Sequence, residues 1–123
     1  MIDCKFNVEL DFSDSKFEED IIKKDIVEYI NATRLNKTYP RKLKILSDTT
    51  KANMILTTED LEAIVQANLK SLQQYDYIID AIITERPKET AYSLLYKKLS
   101  TTNKYRFDVF STREAAIEWL TLQ

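Results

Sequence analysis

An α/β domain with a mixed, mostly parallel sheet of four to five strands and alternating helices is what this sequence predicts, and three observations predict it. Short apolar or alternating runs take turns with longer runs of helical period along the whole chain. The connections after the first run are too long for hairpins. One run, Ile78-Ile79-Asp80-Ala81-Ile82-Ile83, is almost uninterrupted apolar sequence, which is how a strand covered on both faces of a parallel sheet reads. No Pro/Gly/Ser-rich linker and no repeat of fixed period breaks the 123 residues, so 1–123 is expected to be a single domain.

Taken in order, Cys4 to Phe12 alternates, with Cys4, Phe6, Val8 and Leu10 on one side and Lys5, Asn7 and Glu9 on the other, which predicts a half-buried edge strand. Ser13-Asp14-Ser15 then reads as a turn. Ile22, Ile26, Tyr29, Ile30 and Thr33 recur at three and four, predicting a helix from about Ile21 to Leu35. Asn36 follows where a left-handed cap residue usually sits, and Asn103 is a second such substitute. After Pro40 comes a short strand, Leu43 to Leu46, and then an irregular polar loop from Asp48 to Met54.

Thr57, with Asp60 three residues on, starts a helix over Thr58 to Gln73 whose core stripe is Leu61, Ile64, Val65, Leu69 and Leu72. Tyr75 to Thr84 is the central strand. Pro87 suits a first helical turn, and Ala91, Leu94, Leu95 and Leu99 give the next helix, to Ser100, its apolar spacing. Tyr105, Phe107 and Val109 alternate as a last strand. Ser111-Thr112-Arg113-Glu114 reads as a capping box opening a helix through Ala115, Ala116, Trp119 and Leu120.

Absent residue types exclude whole chemistries. The chain has no histidine, hence no imidazole base, triad or imidazole metal ligand. It has no glycine, where an average usage of about 7% would give roughly nine. The glycine-rich phosphate loops and the G-x-S-x-G elbow are therefore missing. No cofactor, no metal and no catalytic residue is expected, and the chain reads as a non-enzyme. The single Cys4 has no intrachain disulfide partner and reads as a reduced strand residue, which points to the cytoplasm. With 18 basic and 20 acidic residues and no basic run, nucleic-acid binding is disfavoured. No apolar stretch is long enough for a membrane span.

Three groups of residues invite a functional reading. Asp48, Asp80 and Asp108 would bind Mg²⁺ if gathered at one sheet end. However, Asp80 and Asp108 sit inside their strands rather than at the C-terminal ends, so hydrogen-bonded structural aspartates are the better reading. Glu85, Arg86 and Lys88 place charge at a helix start, where solvated loop charges are the default reading and a docked anion the alternative. Tyr92 and Tyr96 widen the apolar arc of their helix to roughly 200°, about twice what one sheet face needs. The surplus has to be covered by the terminal helix through Trp119 and Leu120, by a second subunit, or by a ligand.

The runs Lys88-Glu89-Thr90-Ala91-Tyr92-Ser93-Leu94-Leu95-Tyr96 and Phe107-Asp108-Val109-Phe110-Ser111-Thr112-Arg113-Glu114-Ala115-Ala116-Ile117-Glu118-Trp119-Leu120 resemble the small bacterial STAS/SpoIIAA-like proteins. The Tyr39-Pro40 step and the Thr57-Thr58-Glu59 helix start are similar to the same group, and the resemblance spans roughly residues 20 to 121. It implies the β-α superhelix shared by STAS and Sec14-like lipid-binding folds. In the family's phosphoswitch members an Asp-Ser-Ser-Gly motif opens the second helix. Here Thr57 falls on the aspartate, Thr58 on the first serine, Glu59 on the acceptor and Asp60 on the glycine, so the motif is lost. A shift of one residue would put Thr58 at the acceptor, whereas the cap reading of Thr57 and Thr58 needs no switch.

The resulting expectation is a regulatory or protein-interaction module of STAS-like type, with an unknown protein partner or a weak homodimer through Tyr92 and Tyr96. The alternative is a binder of a small apolar ligand or lipid, which predicts an apolar pocket lined by Tyr92, Tyr96, Phe107 or Trp119.

Overall fold

The computed structural model describes residues 1–123. A five-stranded sheet has the order β1-β2-β3-β4-β5, from β1 (Ile2–Asn7), β2 (Phe12–Ile22), β3 (Lys42–Ile55), β4 (Tyr77–Ile83) and β5 (Tyr105–Phe110). β1 pairs antiparallel with β2, and all other neighbours are parallel. Helices α1 (Lys23–Leu35), α2 (Thr58–Leu72) and α3 (Pro87–Ser100) connect β2 to β3, β3 to β4 and β4 to β5, and α4 (Arg113–Thr121) ends the chain.

Because successive parallel strands step in one direction across the sheet, crossovers of one hand put their helices on one face. The larger core accordingly lies between the sheet and α1–α3, with Ile21, Leu43, Ile64, Leu72, Ile78 and Phe107 among its buried members. The other face is covered by α4 alone, whose Ala116 and Leu120 pack on Phe12, Leu46, Ile79, Ala81 and Ile83. β4 divides its side chains between the two cores, Ile78 and Ile82 on one side and Ile79, Ala81 and Ile83 on the other. That division explains its continuous apolar run. β4 is an interior strand as expected, although β3 is the middle one.

Several local expectations need correction. The first strand ends at Asn7, and the chain reverses through Val8–Asp11. Val8 is 84% exposed because it sits in this turn rather than in a strand face. Leu10 N–H donates to Asn7 Oδ1 (2.9 Å), and Asp11, at φ 58°, donates its N–H to Asn7 O (2.8 Å). In a chain without glycine an aspartate takes the left-handed position, at modest cost for this short polar residue. The other left-handed residue is Glu19, just past the register shift between Lys16 and Glu18. Asn36 is extended at φ −81°, and Asn103 is not among the positive-φ residues. Cys4 is exposed rather than a buried strand hydrophobe.

Ser13-Asp14-Ser15 is not a turn but the start of β2. Ser13 and Ser15 are buried where β2 is sandwiched between β1 and β3. β3 does not stop at Leu46 and instead continues through the predicted loop to Ile55. Beyond Asp48 it has lost β4 as a partner and pairs only with β2, burying Ala52 and Met54 as it goes. At Met54 the edge so exposed is met by α3. The buried Glu89 carboxylate accepts Met54 N–H at 2.9 Å, and Arg86 and Lys88 flank it at 3.5 and 3.7 Å. Arg86 and Lys88 are thus engaged with Glu89, while Glu85 stays exposed.

α2 begins as expected: Thr57 Oγ1 accepts Asp60 N–H, and Asp60 Oδ2 accepts Thr57 N–H. α4 is capped one residue later than the capping-box reading, with Thr112 Oγ1 accepting Ala115 N–H. The largest departure is α3. Leu94, Leu95 and Leu99 are 53%, 38% and 43% exposed, and the residues it buries are Glu89, Ser93 and Ser100.

Candidate functional site

Beneath the inward face of α3 lies a cavity of about 90 Å³, lined by 21 residues of which 15 are hydrophobic. The sheet supplies its floor through Phe17, Ile45, Ser47, Ile78, Asp80, Ile82, Tyr105 and Phe107. α1 contributes Ile26, Tyr29, Ile30 and Thr33, α2 contributes Leu61, Ile64, Asn68 and Ser71, and α3 contributes Tyr92, Ser93 and Tyr96. Every element except β1 and α4 takes part. The wall is apolar because the inward residues of parallel strands and of the helices over them are the core-forming positions of both patterns.

Three rings organise one side. Tyr96 meets Phe107 edge-on, with centroids 5.0 Å apart, and Tyr105 edge-on at 6.2 Å, while Tyr105 and Phe107 stack at 6.1 Å. Tyr92 O–H is anchored to Leu56 O at 2.9 Å. Across the cavity Tyr29 packs edge-on against Phe17 at 5.7 Å. Its hydroxyl shares a 2.7 Å hydrogen bond with Ser15 Oγ, which contacts Cys4 Sγ at 3.4 Å.

A single carboxylate sits among these rings. Asp80 lies on β4, paired with Ile45 on one side and Phe107 on the other, in the strand phase that faces α1–α3. Ser47 O–H donates to its Oδ1 (2.9 Å) and Tyr105 O–H to its Oδ2 (3.1 Å). Burial pushes Asp80 up to about 6, against the opposing pull of those two hydroxyls. Burial likewise raises the phenols of Tyr29, Tyr96 and Tyr105 above their ordinary range, so all three are neutral at physiological pH. Asp80 nonetheless keeps part of its surface accessible, and it keeps it as a wall residue of the cavity.

Of the residues singled out in the sequence, the structure brings Tyr92, Tyr96 and Phe107 together around this cavity. Trp119 does not join them. It packs on Phe110 at 5.4 Å on the α4 side, with the sheet between it and the tyrosines. Covering of Tyr92 and Tyr96 by Trp119 and Leu120 is thereby corrected. Both tyrosines turn inward, and the outward face of α3 carries leucines instead.

Thr57, Thr58 and Glu59 are exposed at the start of α2, away from the cavity wall. The three aspartates do not converge: Asp48 accepts from Thr50, Asp108 pairs with Lys97 at 2.9 Å, and Asp80 belongs to the cavity. Sequence reasoning placed Asp80 correctly among hydrogen-bonded aspartates but missed that it faces a void. The available signal was one acidic residue in an otherwise apolar six-residue run.

No family model matches the chain, and no curated protein matches it. Among solved structures it is similar to a protein of the DUF3478 family from Shewanella loihica PV-4, described as uncharacterized and as having a SpoIIAA-like fold. The TM-score is 0.64 at 15% identity, over 98% of this chain and 92% of that one. The likeness shows the fold: this chain is a SpoIIAA-like α/β domain. No helix is long and apolar enough to cross a membrane.

Proposed function

We propose that this domain is a non-catalytic binding module that holds a small, mainly apolar molecule between its sheet and α1–α3. The observation that carries the reading is the cavity itself. At about 90 Å³ it exceeds the ~10–15 Å³ that one water needs, and its wall is dominated by hydrophobic side chains that give water few partners. Walls of this kind accept apolar molecules, each contact replacing dispersion lost to the void. The volume takes in most of a single ring or a short branched chain, or the end of a longer molecule that reaches out through the cavity's open side.

The test is a methyl-resolved NMR titration of the whole chain with toluene. Saturable shifts confined to the cavity-lining isoleucines, Ile26, Ile30, Ile45, Ile64, Ile78 and Ile82, support the reading, and Ile64→Trp, which fills the space, is expected to abolish them. Absence of saturable shifts at these methyls refutes it.

A second reading, contact with a protein partner or a second copy, is favoured by the exposed Leu94, Leu95 and Leu99 on the outer face of α3. It uses the opposite side of that helix and is compatible with an occupied cavity. A cytoplasmic setting accords with the unpaired Cys4.

A further inference from the structure

A carboxylate in an apolar cavity ordinarily meets a lysine or arginine, because an ionised group withdrawn from water without a counter-charge is costly. None of the 21 residues lining this cavity is a lysine, arginine or histidine. Asp80 has only two neutral hydroxyl donors, one on each oxygen, whereas a carboxylate offers about four lone-pair sites. Tyr29, Tyr96, Tyr105 and Phe107 line the same cavity, and aromatic rings attract a cation that has shed its water wherever a face is open to it. On the wall formed by α2, Ser71 is 1% exposed and its hydroxyl has no hydrogen-bond partner. A negative group, aromatic walls, an idle hydroxyl and no resident cation describe a site whose positive charge comes from outside.

We infer that the cavity selects molecules whose apolar body carries a protonated amine, with the Asp80 carboxylate as counter-ion and the surrounding aromatic rings as the remaining walls of the ammonium site. This rests on the binding reading above and adds the chemical class of the ligand. Desolvation, which makes an unpaired Asp80 costly, also makes the attraction strong once an ammonium arrives. The groups facing Asp80 are Ser47 from β3, Tyr105 from β5, Tyr29 from α1 and Tyr96 from α3, while α2 offers only the neutral Asn68 and Ser71. With the three phenols neutral, Asp80 is the group that titrates here between mildly acidic and neutral pH.

Benzylamine, benzyl alcohol, benzoate and toluene share one ring and differ in the group it carries, so their affinities separate the cavity from its carboxylate. Titrated by NMR into the whole chain at pH 7.5, benzylamine is expected to bind at least about tenfold more tightly than benzyl alcohol, the difference a charge-assisted hydrogen bond commonly makes. Benzoate is expected to bind weakest. The preference for the amine should disappear in Asp80→Asn. Should that variant fail to fold, the same loss is expected in the unaltered protein at pH 5, where Asp80 is protonated and benzylamine still charged.

Equal binding of the amine and the alcohol, tighter binding of benzoate, or an amine preference that survives both Asp80→Asn and pH 5 overturns the inference. Where toluene still binds, the apolar-cavity reading stands without it. Binding by none of the four overturns both.

Discussion

Asp80→Asn should make the protein more stable, and by an amount that depends on pH. Burial lifts the carboxyl from 3.8 to about 6, so the folded state holds its proton more tightly than the unfolded chain does. Below about pH 4 both states are protonated and Asp80 contributes no penalty. Between about pH 4 and 6 the unfolded chain releases the proton while the folded protein keeps it, so stability falls as pH rises; above about 6 both are ionised and the full penalty stands. A shift of about two units at 1.36 kcal/mol each sets its ceiling near 3 kcal/mol. Accessible surface on the cavity side lowers that, leaving an expected gain of about 1–3 kcal/mol for the asparagine variant at pH 7.5. Asparagine is nearly isosteric, and the Ser47 and Tyr105 hydroxyls can rotate to meet either end of its amide. Urea unfolding of both proteins at pH 3.8 and 7.5, read by circular dichroism, gives the comparison directly. Curves that coincide at pH 7.5, or a variant weaker there than at pH 3.8 relative to its parent, would refute a costly buried carboxylate.

Two further outcomes follow from elements outside the cavity. Leu120→Ala is expected to cost about 2–5 kcal/mol by denaturant unfolding, because Leu120 is fully buried and α4 alone covers its face of the sheet. A loss below about 1 kcal/mol would mean that α4 is only loosely docked. Thr57→Ala should cost about 1 kcal/mol by removing the side-chain acceptor for Asp60 N–H, whereas Thr58→Glu, exposed in the first turn, should unfold at the parent's midpoint. The reverse ranking in thermal melts would show that Thr58, and not Thr57, secures the start of α2.

Much of the architecture was legible because its elements follow simple periods. α2 announces itself by the Thr57–Asp60 box and a leucine and isoleucine stripe, and β4 by an apolar run that two cores require. β2 was not legible. Ser13, Asp14 and Ser15 are turn-forming by local preference, yet tertiary pairing on both sides overrides it, and small serines are what a closely flanked strand accommodates. The second half of β3 was lost for a related reason. Its N–H groups past Asp48 no longer find β4, and their partner at Met54 is a glutamate from α3, a pairing no local window contains.

α3 shows the same failure with more meaning. Helical periodicity assigns its leucines to the core, and the structure turns them out to place Glu89, Ser93 and Tyr96 inward. Had the leucines faced in, apolar packing would have filled the space above Asp80 and covered the free edge of β3 with nothing to accept Met54 N–H. Glu89 prevents the second outcome, and the larger, more rigid ring of Tyr96, held edge-on by Phe107 and Tyr105, prevents the first by forming a wall instead of a plug. Natural domains are expected to break local folding rules at functional or strained sites. Here one helix turns Tyr92, Ser93 and Tyr96 to the cavity and leaves three leucines on its outer face, and one strand buries an unpaired carboxylate in the cavity wall. An acceptor, aromatic walls and an idle hydroxyl lining one cavity are what the proposed binding reading requires, and the amine series together with Asp80→Asn tests whether they act as one site.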